Sequence, residues 1–148
     1  MRGARSGFTL VELAIVVGII GVLASLAIPQ YTSIQYTARR AEVPSLVDSL
    51  HSAEIAYFVA NDEYLIVDSF VPRAAPDRVP TVWPAESGFS QLDWSPDGLV
   101  RGIYKIEGSP DTNFQIVGQC DVDGDEEVAE YVATHTTAVQ RVTPGTIY

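Results

Sequence analysis

The chain of 148 residues contains a single cysteine, Cys120. One cysteine cannot form an intramolecular disulfide, so the sequence offers no disulfide framework and no cysteine-based sign of an oxidising compartment. Basic residues are also few, with nine Lys and Arg against nineteen Asp and Glu, a formal net charge of −10. Because nucleic-acid binding needs clustered Lys and Arg, this balance predicts no specific nucleic-acid partner.

The sequence patterns of common enzyme classes are missing as well. There is no G-x-S-x-G nucleophile motif and no G-x-x-x-x-G-K phosphate-binding loop. The two histidines, His51 and His135, lack neighbouring metal-ligand or nucleophile patterns. We therefore predict that the protein is not an enzyme.

Charge is nearly absent from one long apolar run, Phe8–Ile28. Its polar residues are Thr9, Glu12 and Ser25. At about 1.5 Å of helical rise per residue, the run matches a hydrocarbon core of about 30 Å. Arg2 and Arg5 precede it and favour a cytoplasmic position for the N-terminal end. The sequence predicts a helix that crosses the membrane and sends the rest of the chain outward.

Three interpretations account for the carboxylate of Glu12. A cleavable secretory signal would use Ser25–Ala27 as its small-x-small site, but the apolar run exceeds the usual ~7 to 15 residues. A simple one-helix anchor would let Glu12 reach the membrane surface. Cleavage after Gly7 would instead give Phe8 a free α-amine, so that Glu12 of one subunit could pair with the amine of the next. A carboxylate costing roughly 2.5 to 3.5 kcal/mol at the bilayer centre would then enforce register between subunits.

The third interpretation agrees with a resemblance to a known family. The sequence Gly7-Phe8-Thr9-Leu10-Val11-Glu12, after a short basic leader and before a proline at the far end of the run, resembles the class III signal of type IV pilins and pseudopilins. The resemblance implies cleavage between Gly7 and Phe8 by a prepilin peptidase and N-methylation of Phe8. It also implies that Glu12 is the assembly residue and that the helix loosens at Pro29.

The resemblance further implies partners and a location. A precursor in the bacterial inner membrane would be taken up by pilus or secretion assembly machinery and would form a helical homopolymer. This polymer would be an extracellular pilus with a role such as adhesion or motility, or a periplasmic fibre if the chain is a type II secretion pseudopilin. A minor pilin fits the same residues. In the alternative of another class, the chain is a secreted or membrane-anchored binding domain that does not polymerise.

The whole chain is predicted to have an α+β fold in which a long N-terminal helix packs on a four-stranded antiparallel sheet. The predicted segments are a leader peptide (1–7), a transmembrane and assembly helix (8–28), an amphipathic helix half (29–61), a Pro-rich connecting loop (62–99) and the sheet of a globular head (100–148).

The amphipathic half carries an apolar stripe at helical spacing that should face the sheet. The stripe comprises Val43, Leu46, Val47, Leu50, Ala53 and Tyr57. Pro29 and Pro44 each remove a helix hydrogen bond and predict bends, and Asn61-Asp62 ends the pattern. Arg39 and Arg40 are expected on a solvated helix face.

In the Pro-rich segment, Trp83, Phe89 and Trp94 are expected to pin the chain to the head. Four β-branched or aromatic runs then predict strands. These are Val100–Ile106, Phe114–Cys120, Val128–Thr134 and Ala138–Val142. Period two places Cys120 on a buried face as a small apolar residue. Many pilins pair two cysteines near the C-terminus, so their absence leaves open how the terminal strands are held.

An acidic connection between two predicted strands is a candidate for that role. Oxygen-rich loops bind calcium, and no other cofactor is predicted. The candidate ligands are Asp121, Asp123, Asp125, Glu126 and Glu127. The EF-hand pattern fails, because glycine is fourth instead of sixth and Val132 stands where the bidentate Glu belongs. The alternative is a solvated Asp-Gly turn.

Overall fold

The computed structural model describes residues 7–73 and 75–148. The predicted leader, with Arg2 and Arg5, therefore lies outside the described residues except for Gly7. The chain divides into two compact units, Met1–Gln35 and Tyr36–Tyr148, and each is described by itself.

The first unit consists mainly of helix α1, which begins at Leu10 and ends at Arg40 in the second unit. Between Leu10 and Ile28 its large apolar side chains are 44 to 83% exposed. A helix that is apolar on all sides needs apolar surroundings. By length and composition this helix can cross a membrane, as the sequence predicts. Pro29 lies inside α1 and does not end it.

The second helix, α2, runs over Glu42–Asn61 and is separated from α1 by Ala41 alone. Pro44 explains this discontinuity, because it lacks the N–H that would donate to the carbonyl of Arg40 and its ring crowds that carbonyl. The helix ends where predicted. Asp62 adopts a left-handed conformation, φ 59°, and its N–H donates to the Phe58 carbonyl at 2.8 Å.

Seven strands follow α2 within residues 62–73 and 75–148. In chain order they are β1 (Val67–Val71), β2 (Thr81–Val82), β3 (Leu99–Val100), β4 (Ile103–Ser109), β5 (Asn113–Cys120), β6 (Ala129–Thr134) and β7 (Thr137–Arg141). Five form an antiparallel sheet in the order β1-β4-β5-β6-β7, and β2 pairs with β3 as a separate two-stranded ribbon.

The predicted α+β architecture is confirmed, but the sheet has five strands instead of four. The additional strand is β1, an edge strand inside the segment predicted as loop. Its register against β4 is irregular, and two of its five residues, Asp68 and Ser69, are polar. A short edge strand followed at once by Pro72 has a weak local signal. The same segment also contains β2 and a 3-10 helix, Gly88–Leu92.

The predicted stripe of α2 does face the sheet. Val43, Val47 and Leu50 are completely buried, and α2 contacts β5, β6 and β7. The helix approaches β5 closely at Gly118, where an added Cβ would lie 2.5 Å from Cγ2 of Val47. Cys120 is also completely buried, and burial raises the pKa of its thiol to about 12, so it packs as an apolar residue.

An aromatic cluster confirms the expected pinning of the Pro-rich segment. Trp83 lies 5.5 Å from Phe89, 5.4 Å from Trp94 and 6.1 Å from Tyr104 of β4, measured between ring centroids. The indole N–H of Trp94 donates to the Ser49 hydroxyl of α2 at 3.0 Å. These contacts fix residues 83–94 against both layers of the head.

Arg40 contradicts the expectation of a solvated helix face, because only 8% of it is exposed. Its Nη1 donates to the carbonyls of Ile147 and Gly145, and its guanidinium lies 4.9 Å from the centroid of the Tyr148 ring. Arg141 donates to the same Ile147 carbonyl from its Nη2. Two arginines therefore hold the C-terminal segment, in a chain whose single cysteine cannot provide a disulfide for that purpose.

Glu54 is a second buried ionisable side chain that the sequence did not reveal. It is completely buried in α2; its Oε1 accepts from the Leu65 N–H at 2.5 Å, and its Oε2 has no hydrogen-bond partner among the described residues. Burial raises the pKa of its carboxyl to about 7, while the Leu65 hydrogen bond opposes the rise. The folded head therefore binds a proton more tightly than the unfolded chain does.

We expect Glu54→Gln to stabilise the head above pH 7. Between the ordinary pKa of 4.5 and about 7, the folded state retains a proton that the unfolded state has lost. The stability of the unsubstituted protein therefore falls as pH rises through this window. Glutamine has no such loss, so the gain in free energy of unfolding should reach about 3 kcal/mol at most at pH 8 and become small near pH 4.5.

Urea unfolding of both proteins at these two pH values measures the gain in free energy. The exposed Glu63→Gln is the control, and an unchanged pH dependence in Glu54→Gln would contradict the prediction.

Candidate functional sites

The first candidate site lies at the start of α1, where Thr9 and Glu12 form a capping box. Oε2 of Glu12 accepts hydrogen bonds from the Thr9 N–H at 2.8 Å and from the Thr9 hydroxyl at 2.6 Å. The Glu12 N–H donates to the Thr9 hydroxyl oxygen at 3.2 Å. The T-x-x-E spacing produces this reciprocal pattern at helix starts. The capping role of Thr9 was missed in reading the sequence, although this spacing is visible there.

The capping box gives the charge of Glu12 a local partner. The carboxylate lies in the first turn of α1, where the unpaired N–H groups and the helix dipole favour a negative charge. Two hydrogen bonds from Thr9 of the same chain therefore stabilise the carboxylate in an otherwise apolar segment. A pairing of Glu12 with the amine of another copy has to compete with these contacts.

The predicted processing site lies immediately before this helix. Gly7 and Phe8 are outside regular secondary structure, both are exposed, and Phe8 is 77% exposed. The bond between them is thus accessible within the described residues. Pro29 is not close to this site, since nineteen residues separate it from Leu10, about 29 Å along a regular helix.

The second candidate site is the acidic connection between β5 and β6. Asp121 is buried and organises it, because its Oδ1 accepts from the Gly124 N–H at 2.6 Å and its Oδ2 from the Glu126 N–H at 3.1 Å. Gly124 has a φ of 81°, a conformation that glycine adopts without strain. The neighbouring Val122 is completely buried and its N–H donates to the Tyr148 carbonyl at 3.2 Å. The loop is a structured turn that also holds the C-terminal segment.

Three of the five candidate ligands come together in this turn. One carboxylate oxygen from each of Asp121, Asp123 and Asp125 lies within 4.8 Å of the others. Glu126 and Glu127 instead donate backbone N–H groups, Glu127 to Oδ1 of Asp125 at 2.9 Å.

Within the described residues, the carboxylate of Asp123 lacks a full set of hydrogen-bond partners. Its Oδ1 is buried and has no hydrogen-bond partner in the described part of the chain. Burial, and then the negative charge of Asp125, raises the pKa of Asp123. An unpaired carboxylate oxygen beside two further carboxylates is the donor set that Ca²⁺ prefers.

A comparison with protein families finds a match over the first of these sites. Residues 2–28 match the family model described as the prokaryotic N-terminal methylation motif. The match covers the proposed processing site and the capping box, and it agrees with the class III signal identified from the residues. No solved structure matches the chain.

Curated proteins with similar sequences are named as pilin or fimbrial proteins. Over 58 residues, 39% of this chain and 26% of the relative, the sequence is 41% identical to a type IV major pilin protein PilA of Myxococcus xanthus. It is 46% identical over 72 residues to a fimbrial protein of Pseudomonas aeruginosa, 47% of this chain and 44% of the relative. It is 50% identical over 50 residues to a type IV major fimbrial protein FimA of Dichelobacter nodosus, 34% of this chain and 31% of the relative.

The fold is α+β, and the methylation motif spans the start of the chain together with the apolar part of its N-terminal helix. Over the matched residues, the chain is similar to type IV pilins. The chain spans less than half the length of each of these three curated relatives.

Proposed function

We propose that the protein is a structural subunit of a type IV pilus-like filament that polymerises through helix α1. The observation that carries this proposal is Glu12, the sole charged residue between Leu10 and Ala38 of a helix whose apolar side chains are exposed all round. Such a helix requires either lipid or the core of a bundle of like helices. The methylation motif and the names of the relatives support the bundle.

The proposed assembly chemistry begins with cleavage after Gly7 by a prepilin peptidase, followed by N-methylation of Phe8. A methylated α-amine keeps its positive charge at neutral pH. When α1 leaves the lipid for the filament core, that cation and Glu12 of a neighbouring subunit form an ion pair in surroundings of low dielectric, where an unpaired charge is costly. Only one stagger between neighbouring helices satisfies both charges, so the pair sets the register.

The location and partners follow from this route. The precursor is inserted in the inner membrane, is transferred to pilus or secretion assembly machinery, and becomes part of an extracellular pilus. In a type II secretion pseudopilin the same chemistry would build a periplasmic fibre, and in a minor pilin it would place a few copies among a major subunit. Copy number in purified filaments separates these three cases.

The mass of the mature N-terminal peptide tests the proposal. Filaments sheared from the native host should contain the chain with a methylated Phe8 as its first residue. A mature chain that begins at Ile28 would mean an ordinary secreted domain, and an intact Met1 in the membrane would mean a simple anchor. Either of these results would overturn the proposed processing and polymerisation.

We also propose that Asp121, Asp123 and Asp125 bind calcium and that the ion stabilises the C-terminal part of the head. The unpaired Oδ1 of Asp123 supports this proposal. Asp121 closes the loop on Gly124, and Val122 connects the loop to Tyr148. A bound ion would therefore tighten contacts that already hold the chain terminus. Bound calcium would neutralise part of the mutual repulsion of the three carboxylates.

Calcium is expected to raise the melting temperature of the full chain in detergent, compared with the same protein in chelator. A ligand at a hundred times its Kd stabilises by about 2.7 kcal/mol. Asp123→Asn should abolish the calcium-dependent shift, whereas the exposed Asp111→Asn, outside the loop, should retain it. If the unsubstituted protein shows no shift with millimolar calcium, the loop is a solvated turn.

A further inference from the structure

Two exposed patches on the head have complementary character. The first, the ribbon patch, consists of Val82, Leu99 and Arg101. Val82 and Leu99 are direct partners in the β2–β3 register and are 68% and 56% exposed. Arg101 directly follows β3, and its Nη1 donates to the Arg78 carbonyl, three residues before β2, at 3.3 Å, so one cationic group lies at the end of the ribbon.

The second, the helix-end patch, consists of Ile55, Val59, Asp62 and Glu63. Ile55 and Val59 are four residues apart on α2 and therefore share one face. Val59 is 78% exposed, more than Val82, Leu99 or Val142. Asp62 and Glu63 follow at the end of the helix and are both exposed, so this patch is apolar with an acidic edge.

The two patches lie at opposite ends of α2. The Arg101 N–H donates to Oε1 of Glu42, in the first turn of the helix, at 2.8 Å. Val59 is seventeen residues beyond Glu42, about 25 Å along the helix axis. One copy can therefore offer its ribbon patch to one neighbour and its helix-end patch to another at the same time.

We propose that, in the filament, the ribbon patch of one head docks on the helix-end patch of a second copy of the chain. The proposal rests on the proposed function and names the contact between heads that accompanies packing of α1. Arg101 meets Asp62 and Glu63 around a central apolar contact, which gives charge complementarity in a chain of net charge −10. Because the contact joins two different surfaces, it does not close as a two-fold dimer and can be repeated from copy to copy along a filament.

Cysteine cross-linking tests this contact directly, since Cys120 is buried. Val59→Cys combined with Val82→Cys should, on mild oxidation of assembled filaments, give a ladder of covalent multimers under non-reducing electrophoresis. Each single substitution should leave the chain monomeric. The matched control combines Val82→Cys with Val142→Cys, which is 61% exposed and outside both patches, and should give no ladder.

The outcomes separate this inference from the function on which it rests. Filaments that form normally but give no ladder would overturn the head contact and leave the filament proposal intact. Covalent dimers from Val82→Cys alone would show a symmetric contact and also overturn it. Absence of filaments from the unsubstituted protein, with no methylated Phe8, would instead contradict the proposed function.

A charge exchange decides the matter if the double-cysteine variant does not assemble. Arg101→Glu places like charges across the proposed contact and should reduce the yield of filaments at least tenfold. Glu63→Lys in the same chain should restore most of that yield. Normal assembly of Arg101→Glu, or no rescue by the second substitution, would contradict the contact.

Discussion

Replacing Glu12 with alanine is expected to abolish filament formation while leaving cleavage after Gly7 largely intact. The substitution removes the charge that pairs with the Phe8 amine of the neighbouring subunit, so that amine enters the filament core unpaired. An unpaired buried charge costs several kcal/mol, enough to shift the equilibrium from filament to membrane by more than a hundredfold. The measurement is the amount of chain in the sheared fraction, with the N-terminal mass of the membrane-bound chain determined in parallel.

A second substitution separates the charge of Glu12 from its capping role. Glu12→Gln retains an oxygen that can accept from the Thr9 N–H and hydroxyl, so α1 should still begin at Leu10. It has no charge, and filaments should be lost as in Glu12→Ala. The control is Ser25→Ala, whose hydroxyl donates only within its own helix to the Val22 carbonyl and whose loss should leave filaments unchanged. Normal filaments from Glu12→Gln would mean that capping, and not charge pairing, is the function of this residue.

The parts of the protein that the sequence predicted well are those with local signals. The apolar run of α1, the stripe of α2 and the end of α2 at Asn61 are all encoded by residues within a few turns of one another. The residues of the proposed assembly site, Gly7, Phe8 and Glu12, also lie within one short motif, which the matching family model covers. Thr9 belonged to the same motif, and its T-x-x-E spacing was an unused signal.

Features that depend on distant residues could not be predicted in the same way. The strand β1 exists because β4 offers an open edge, and β4 begins more than thirty residues later in the chain. Glu54 appears on an otherwise ordinary helix, and its burial is decided by packing against the rest of the head. Local residues alone predict a loop at β1 and an exposed side chain at Glu54.

The acidic turn illustrates an intermediate case. The sequence supplied five carboxylates, but only the fold decides which side chains converge and which residues contribute backbone N–H groups. Buried Asp121 accepts two of those N–H groups, and this turns the chain so that the carboxylates of Asp123 and Asp125 come near its own. The φ angles of 81° at Gly124 and 70° at Glu126 belong to this turn.

Replacing Arg40 with alanine should destabilise the head by about 3 kcal/mol. The substitution removes charge-assisted hydrogen bonds to the carbonyls of Ile147 and Gly145, which contribute roughly 1.5 to 3 kcal/mol to stability. It also removes the contact with the Tyr148 ring, worth about 0.5 to 2 kcal/mol. The melting temperature of the full chain in detergent should fall by roughly 10 to 15 °C.

Two matched variants show whether Arg40 acts by holding the C-terminal segment. Arg40→Lys keeps the charge but cannot reproduce the planar fork or its stacking on Tyr148, so it should recover less than half of the lost stability. Arg39→Ala removes the neighbouring, only half-buried arginine and should change the melting temperature by no more than a few degrees. Proteolysis should then release the C-terminal residues from Arg40→Ala alone.

If Arg39→Ala proves as damaging as Arg40→Ala, the positive charge of this helix end matters and the hydrogen bonds to residues 145 and 147 do not. If only Arg40→Ala is damaged, the buried side chain of Arg40 at the end of α1 holds the C-terminal segment through its hydrogen bonds to residues 145 and 147.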